Sequence, residues 1–306
     1  MAIKKKTLIV ILGPTAVGKT DLSIELALKL ETVIISADSR QFYKELNIGT
    51  AKPSPEQLSA VKHYFVDFIS ITENYDAATF EQKAVETIHD LFQTKDAVIL
   101  SGGSGLYINA ICKGFDALPP FDPGIRNELN NQYQIEGLEY LNKMLFLKDP
   151  EYYNEVDLHN PQRVIRALEV CLSSGKKYSS FRTQRAKERN FNILWIGINR
   201  NREELYSRIN YRVDEMVKAG LIEEARTLLP YKKYNALQTV GYNELMEYFD
   251  GNIHLDTAIE LIKQNTRRYA KRQLTWFRKN KEIHWFHPEE KNKIFEFIQL
   301  HLEKVN

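Results

Sequence analysis

The sequence predicts an α/β fold: a parallel sheet flanked by helices, interrupted by an inserted all-helical domain. Three observations point there. Short apolar runs, TLIVIL at 7–12, VIISA at 33–37 and AVILS at 97–101, alternate with amphipathic stretches through the first third of the chain. Parallel strands buried on both faces read as such unbroken runs. At 115–126 the texture breaks in FDALPPFDPGIR, and helical patterning alone follows to about 190. A further strand-like run, FNILWIGI at 191–198, then returns the chain to the sheet.

Taken in order, the first run is followed by a helix from Thr20 to about Leu30, the second by a helix over Ala77 to Phe92, and AVILS by the break. This strand and helix alternation is the βαβ pattern. The last helix of the insertion starts at Pro161, a residue suited to a first turn, contains QRVIRALEVCL, and leaves through the basic run GKKYSSFRTQRAKER. Helices are expected over 202–219, 221–229, 240–249 and 255–280. The core therefore comprises 1–114 with 191–306, and the insertion 115–190.

With 306 residues, 43% apolar and 27% charged, the chain matches a globular protein and neither a disordered nor a fibrous one. The longest strand-like apolar run near the start is far short of the ~20 residues a membrane helix needs, and no cleavage site follows it. A cytoplasmic location is expected. Cys112 and Cys171 lie in apolar helical contexts and read as buried structural thiols. His284 and His287 lack ligand partners in range and read as a solvated strand end.

The chemistry starts at Gly13, Pro14, Thr15, Ala16, Val17, Gly18, Lys19 and Thr20. GPTAVGKT matches G-x-x-x-x-G-K-[ST] between a strand and a helix, the context that a phosphate-binding P-loop requires. The sheet is thus expected to be P-loop NTPase-like. Backbone N–H groups and a helix N-terminus would face phosphate oxygens, Lys19 would neutralise them, and Thr20 would hold Mg²⁺. A nucleotide triphosphatase would carry an aspartate at the end of a second strand, yet AVILS runs into Gly102, Gly103 and Ser104. The acidic group follows VIISA instead, as Asp38. Ligands of open parallel sheets bind at the carboxyl ends of strands, so Asp38 is a candidate general base facing the loop. A turn cap is the alternative reading.

Residues 263–281 contain eight Lys or Arg and no acid, with Tyr269, Trp276 and Phe277 interleaved. Trp276 and Phe277 read as the helix's core stripe. The exit of the insertion adds Lys176, Lys177, Arg182, Arg185, Lys187 and Arg189 against Glu188 alone. Two basic surfaces suit an extended polyanion, while a solvated helix face remains the alternative.

GPTAVGKT, ADSRQFYKELNIGTAKP, SGGSGLY, PQRVIRALE, RINYRVDEMVKAGL, LQTVGY and KRQLTWFRK occur in the order found in tRNA dimethylallyltransferases, also called tRNA isopentenyltransferases, and run from residue 13 to 279. The chain resembles a bacterial-type member, with no zinc-finger extension after the core. Ser104 departs from the Thr more usual there but keeps the hydroxyl. The resemblance implies transfer of a dimethylallyl group from dimethylallyl diphosphate to N6 of the adenosine 3′ of the anticodon. It implies that Thr15 to Thr20 bind the diphosphate together with Arg212, and that Asp38, Ser39, Arg40 and Gln41 meet the acceptor nucleotide. Contacts to tRNA are implied for Ser104, Arg126, Gln162, Arg163, Val164, Ile165 and Arg166. They are implied also for Gln238, Thr239, Gly241, Tyr242 and Asn243, and for Lys271 to Arg278, with Lys271, Arg272 and Arg278 the charged members. The partners so implied are the anticodon stem-loop, the donor and Mg²⁺, with no membrane and no obligate protein partner, and a monomer suffices.

Three other readings share the loop. An adenylate isopentenyltransferase would not need the helical insertion or the basic helices. A small-molecule kinase would need the missing second-strand carboxylate. In a nucleotide-gated RNA-binding module, Asp38 would cap a turn and do no chemistry.

Overall fold

β-Branched and aliphatic runs bounded by glycine or polar turns become strands wherever both faces find cover. In the computed structural model, which describes residues 6–120, 122–183 and 186–305, these are β1 (Thr7–Leu12), α1 (Lys19–Lys29), β2 (Ile34–Ser36), α2 (Pro55–Ala60), β3 (His63–Tyr64), α3 (Ala77–Leu91), β4 (Ala97–Gly102) and α4 (Gly105–Lys113). Then come α5 (Pro123–Lys148), α6 (Pro150–Glu155), α7 (Pro161–Ser174) and α8 (Tyr178–Phe181). After β5 (Asn192–Ile198) follow α9 (Arg202–Lys218), α10 (Leu221–Thr227), α11 (Tyr242–Phe249), α12 (Leu255–Phe277), β6 (His284–Phe286) and α13 (Lys291–Val305). The chain divides into two compact units, Met1–Cys112 with Glu188–Asn306, and Lys113–Lys187.

In the first unit the strands form one parallel sheet in the order β3-β2-β4-β1-β5-β6. Central β1 is paired on both edges, Ile9 lying opposite Ile99 on one side and Leu194 on the other. Its alternate residues feed two cores. Leu8, Val10 and Leu12 pack with Phe42, Phe80 and Tyr242, and Ile9 and Ile11 with Leu22, Leu26 and Ile209. Each such side chain, fully buried, contributes about 1.5–3 kcal/mol. The predicted α/β parallel sheet is present.

Several elements were not delimited by the sequence. β3 has two residues and exists because its main chain pairs with β2. β6 joins the far edge beside β5, with His284 exposed on it. α13 buries Ile294 and Ile298 against the second core. Both cysteines are buried.

In the second unit Asp122, Asp149 and Asn160 each cap a helix, accepting from the N–H of Ile125, Tyr152 and Arg163, and each precedes a proline. Cap plus first-turn proline starts α5, α6 and α7 at fixed points. Gly137, at φ 78°, kinks α5. Leu129, Leu141, Leu145, Val164, Ile165 and Leu168 form this unit's core.

Candidate active site

The loop between β1 and α1 is shaped by its glycines. A Cβ on Gly13 would stand 2.3 Å from the Ile198 carbonyl oxygen, and Gly18 takes φ 104°, a left-handed value that favours glycine. Lys19 folds back so that Nζ donates to the Pro14 carbonyl at 2.8 Å. Other side chains grip the loop from outside. Arg200 Nε donates to Val17 O at 3.1 Å, Arg208 Nε to Ala16 O at 3.0 Å, and Arg212 to Thr15 Oγ1 at 3.5 Å. Arg208 and Arg212 share a face of α9 because they are four residues apart. Gln273 on α12 accepts from Thr15 N at 3.0 Å and donates to Gly103 O at 2.8 Å. Sequence reasoning missed Arg200 and Arg208, and had Gln273 only within the stretch Lys271 to Arg278 implied to touch tRNA, whereas its side chain turns inward. Only the Arg208 and Arg212 spacing offered a signal.

Asp38 is set by the stitched ends of β2 and β4. A Cβ on Gly102 would lie 2.3 Å from Ala37 O. That clearance lets Ala37 N reach Ser101 O at 2.8 Å, Ser104 N reach Ala37 O at 3.2 Å, and Ser39 N reach Ser104 Oγ at 3.1 Å. Asp38 Oδ1 accepts from Arg40 N at 3.0 Å. The carboxylate thus does act as a local turn cap, and its field also reaches the loop. Burial pulls the Lys19 ammonium down to about 7, Asp38 opposes that, and Arg212 reinforces it. Burial likewise lowers the Arg212 guanidinium, against Asp38. Burial pushes the Tyr269 hydroxyl up to about 12, with the Asp38 charge adding to it.

Asp38, Arg212 and Tyr269 line a cavity of about 470 Å³. Its lining combines polar side chains, among them Thr15 and Arg272, with the aliphatic Ile209, Val213, Met216, Leu221, Val240 and Ile262. A narrower space of about 90 Å³ adjoins it, sharing Thr15, Asp38, Arg212 and Tyr269 and adding Lys19, Thr20 and Gln41. The narrower space thus carries the loop's Lys19 and Thr20, the wider one aliphatic side chains, and Asp38 lines both.

Several expected RNA contacts fall elsewhere. Tyr242 is fully buried, and its hydroxyl donates to Glu224 at 2.6 Å. Glu224 also accepts from the N–H groups of Asn47, Ile48 and Gly49 at 3.1, 2.8 and 3.0 Å. Tyr242 is therefore a latch for the segment bordering the cavity and offers nothing to a ligand. Arg40 lines the cavity, with its guanidinium engaged by the Asn235 and Gln238 carbonyls at 2.9 and 3.4 Å. Gln41 holds the Thr50 and Ala51 carbonyls, both at 3.2 Å. Ser39, Gln238, Thr239, Gly241 and Asn243 line the cavity, and Ser104 orders Ser39.

Along α12, Lys271, Arg272 and Arg278 are exposed, whereas Gln273 and Phe277 turn inward. Trp276, read as core, is instead 37% exposed and lies along a groove with Arg268, Lys271, Arg272 and Lys279. In the helical unit Gln162 and Arg163 are exposed, but Val164 and Ile165 are at most 1% exposed. Their side chains belong to that unit's core, since an amphipathic helix turns one stripe inward. Arg126 and Arg166 both pair with the fully buried Glu169. The second basic surface is thinner than its sequence. Arg182 pairs with Glu155, and Arg189 is held by Glu81 and the carbonyls of Ile111 and Ala110. Arg185 lies outside the described residues, leaving Lys176, Lys177 and Lys187 exposed.

Comparison with known proteins gives the family. A family model described as IPP transferase matches residues 41–280, a span that leaves out the glycine loop, so loop and match are separate observations. The chain is 54% identical to tRNA dimethylallyltransferase 1 of Bacteroides thetaiotaomicron over 96% of each chain, and 53% identical to tRNA dimethylallyltransferase of Christiangramia forsetii over 98% of each. Among solved structures, the full-length tRNA isopentenylpyrophosphate transferase of Bacillus halodurans matches at TM-score 0.73 and 37% identity, covering 98% of both chains. A eukaryotic dimethylallyltransferase solved acting on tRNA matches at TM-score 0.78 and 26% identity over 92% of this chain and 74% of that one. With a family match across most of its length and relatives this similar end to end, the chain belongs to the IPP transferase family.

Proposed function

We propose that the chain transfers the dimethylallyl group of dimethylallyl diphosphate to N6 of the adenosine 3′-adjacent to the anticodon in tRNA, releasing diphosphate. The single observation that carries this reading is a pair of adjoining spaces, one lined by the loop's Lys19 and Thr20 and the other by aliphatic side chains, with Asp38 lining both. A five-carbon chain fits the recess formed by Val213, Met216 and Ile262, and its diphosphate fits the loop. A kinase would not need the aliphatic lining.

The adenine amine is a weak nucleophile because its lone pair is delocalised into the ring. As N6 bonds to the allylic carbon, the carbon–oxygen bond breaks and its electron pair leaves with the diphosphate. Asp38 accepts the N6 proton, an assistance worth about 10²- to 10⁴-fold. Charge growing on the leaving group is met by Lys19, Arg212 and the loop N–H groups, in an orientation already held before reaction. The donor set suits Mg²⁺, which takes few protein oxygens and completes its shell with phosphate and water. The Thr20 hydroxyl beside this space would hold it, and it would supply further neutralisation of the diphosphate.

An adenosine in the anticodon loop must leave its stack to reach Asp38, at a few kcal/mol. Phosphate contacts along the exposed basic face of α12 offset that. Association with tRNA should accordingly weaken steeply with salt, and the logarithmic slope should become shallower by about one to two after Lys271→Gln with Arg272→Gln. An unchanged slope in filter binding would remove α12 from the RNA surface. A monomer and a cytoplasmic location accord with this reading, and among the described residues no helix is long and apolar enough to cross a membrane.

The function itself is tested by incubating the protein with Mg²⁺, labelled dimethylallyl diphosphate, and either unmodified tRNA or AMP. Label in tRNA alone is expected. Label in AMP, or in neither, contradicts the proposal.

A further inference from the structure

α12 carries the basic face on its outside and something different on its inside. Tyr269, Gln273 and Trp276 follow one another at helical spacing, and each lies over the SGGSG segment that ends β4. Tyr269, though 36% exposed, hydrogen-bonds Ser104. A Cβ on Gly103 would stand 2.4 Å from Gln273 Nε2, and one on Gly105 would stand 2.3 Å from the Trp276 ring. The glycines at 103 and 105 are thus the clearance that lets α12 dock. Within that seam Gln273 is 7% exposed and uses both ends of its amide. Its Nε2 donates to Gly103 O, and its Oε1 accepts from Thr15 N, 258 residues away in sequence.

Thr15 is the third residue of the phosphate loop, and its Oγ1 also meets Arg212. A phosphate loop works by the orientation of its N–H groups, so whatever fixes Thr15 N fixes the loop's opening. No loop or α1 residue does this. A side chain on the helix with the basic outer face does.

We propose that Gln273 is a positioning residue that fastens the donor loop to α12, so that the helix presented to RNA and the loop that grips diphosphate form one part. It does not touch the reacting atoms. It acts through Thr15, and this inference rests on the diphosphate-binding reading of the loop. A buried amide with both ends satisfied is replaceable only by a group with one donor and one acceptor at the same two places.

The charge of a glutamate provides the test. In Gln273→Glu at neutral pH, a carboxylate can still accept from Thr15 N, but it faces the Gly103 carbonyl with no proton to give and adds a negative charge beside the loop. Protonated, it regains one donor and one acceptor. Burial, the Gly103 carbonyl and the Asp38 carboxylate favour the neutral form, while Lys19 and Arg212 on the same space and the Thr15 N–H oppose it, so the carboxyl of this variant is followed across the whole pH range.

The measurement is calorimetric affinity for inorganic diphosphate with Mg²⁺, for wild type, Gln273→Glu and Gln273→Met, between pH 5 and 8, with thermal melting of each alongside. At pH 8 both variants should bind at least tenfold more weakly than wild type. As pH falls, Gln273→Glu should recover toward wild type, while Gln273→Met should not. Affinity of the unloaded variants for an anticodon stem-loop should stay within about twofold of wild type. If wild type fails to bind diphosphate, the donor reading fails. If it binds, and both variants bind equally well or lose affinity without recovery of the glutamate at low pH, the positioning role is overturned. Equal losses for diphosphate and stem-loop, tracking a fall in melting temperature, also overturn it in favour of a purely structural contact.

Discussion

Lys19→Met should reduce single-turnover transfer about 10³-fold or more, while making the folded protein harder to melt. Removing one preorganised donor from a developing anion typically lowers turnover by 10²- to 10³-fold, and Lys19 carries a full charge in addition. The stability gain follows from its depressed pKa. Lys19 titrates at about 7 in the fold, against 10.5 as its ordinary value. Below pH 7 it is charged in both states, and the fold bears the whole penalty of burying that charge. Between about 7 and 10.5 the unfolded chain binds the extra proton, so stability rises with pH. The variant's advantage, on the order of 2 kcal/mol, should therefore be greatest below pH 7 and shrink toward pH 10. Bound diphosphate favours the ammonium, so wild-type affinity should lose a component above pH 7 that the variant lacks. Urea melts at pH 6 and pH 9 would check the sign. A variant less stable at pH 6 would show that Lys19 is not strained in the empty site.

Asp38→Ala should lower turnover by at least ~100-fold with diphosphate affinity retained or slightly increased. Asp38 lies close enough to Lys19 and Arg212 to raise both, so its removal leaves the cationic end of the cavity less compensated. It also removes the acceptor for Arg40 N, and Asp38→Asn keeps that bond while abolishing the base. The two variants should therefore be comparably slow. If Asp38→Asn is near wild type and only Asp38→Ala is slow, the residue is a turn cap and the proton leaves by another route.

How much of this was readable beforehand depended on range. The loop, the strands and the aspartate after β2 were legible because each is a local pattern with a physical requirement. The absent carboxylate after β4 was legible for the same reason. What the sequence concealed is made by partners far apart. Gln273 looked like one more polar residue on a basic helix, and nothing nearby in sequence hints that it bonds Thr15. Tyr242 was implied as a tRNA contact by its place in LQTVGY, yet Glu224 and Gly49 explain it as packing. Arg189 counted toward a basic surface until Glu81 and two carbonyls were found around it. Val164 and Ile165 shared a motif with Gln162 and Arg163, but helical periodicity sends them to opposite sides. β3 has no pattern because two residues held by a neighbour need none.

The Thr15–Gln273 contact also bears on how the molecule comes into being. Contacts between distant residues form only after the intervening chain has been ordered, which makes them late events in folding. β5 must first return beside β1, and α12 must then reach the SGGSG seam. During synthesis Thr15 emerges 258 residues before the side chain that orients it. A growing chain thus carries the phosphate motif long before it carries a working donor site.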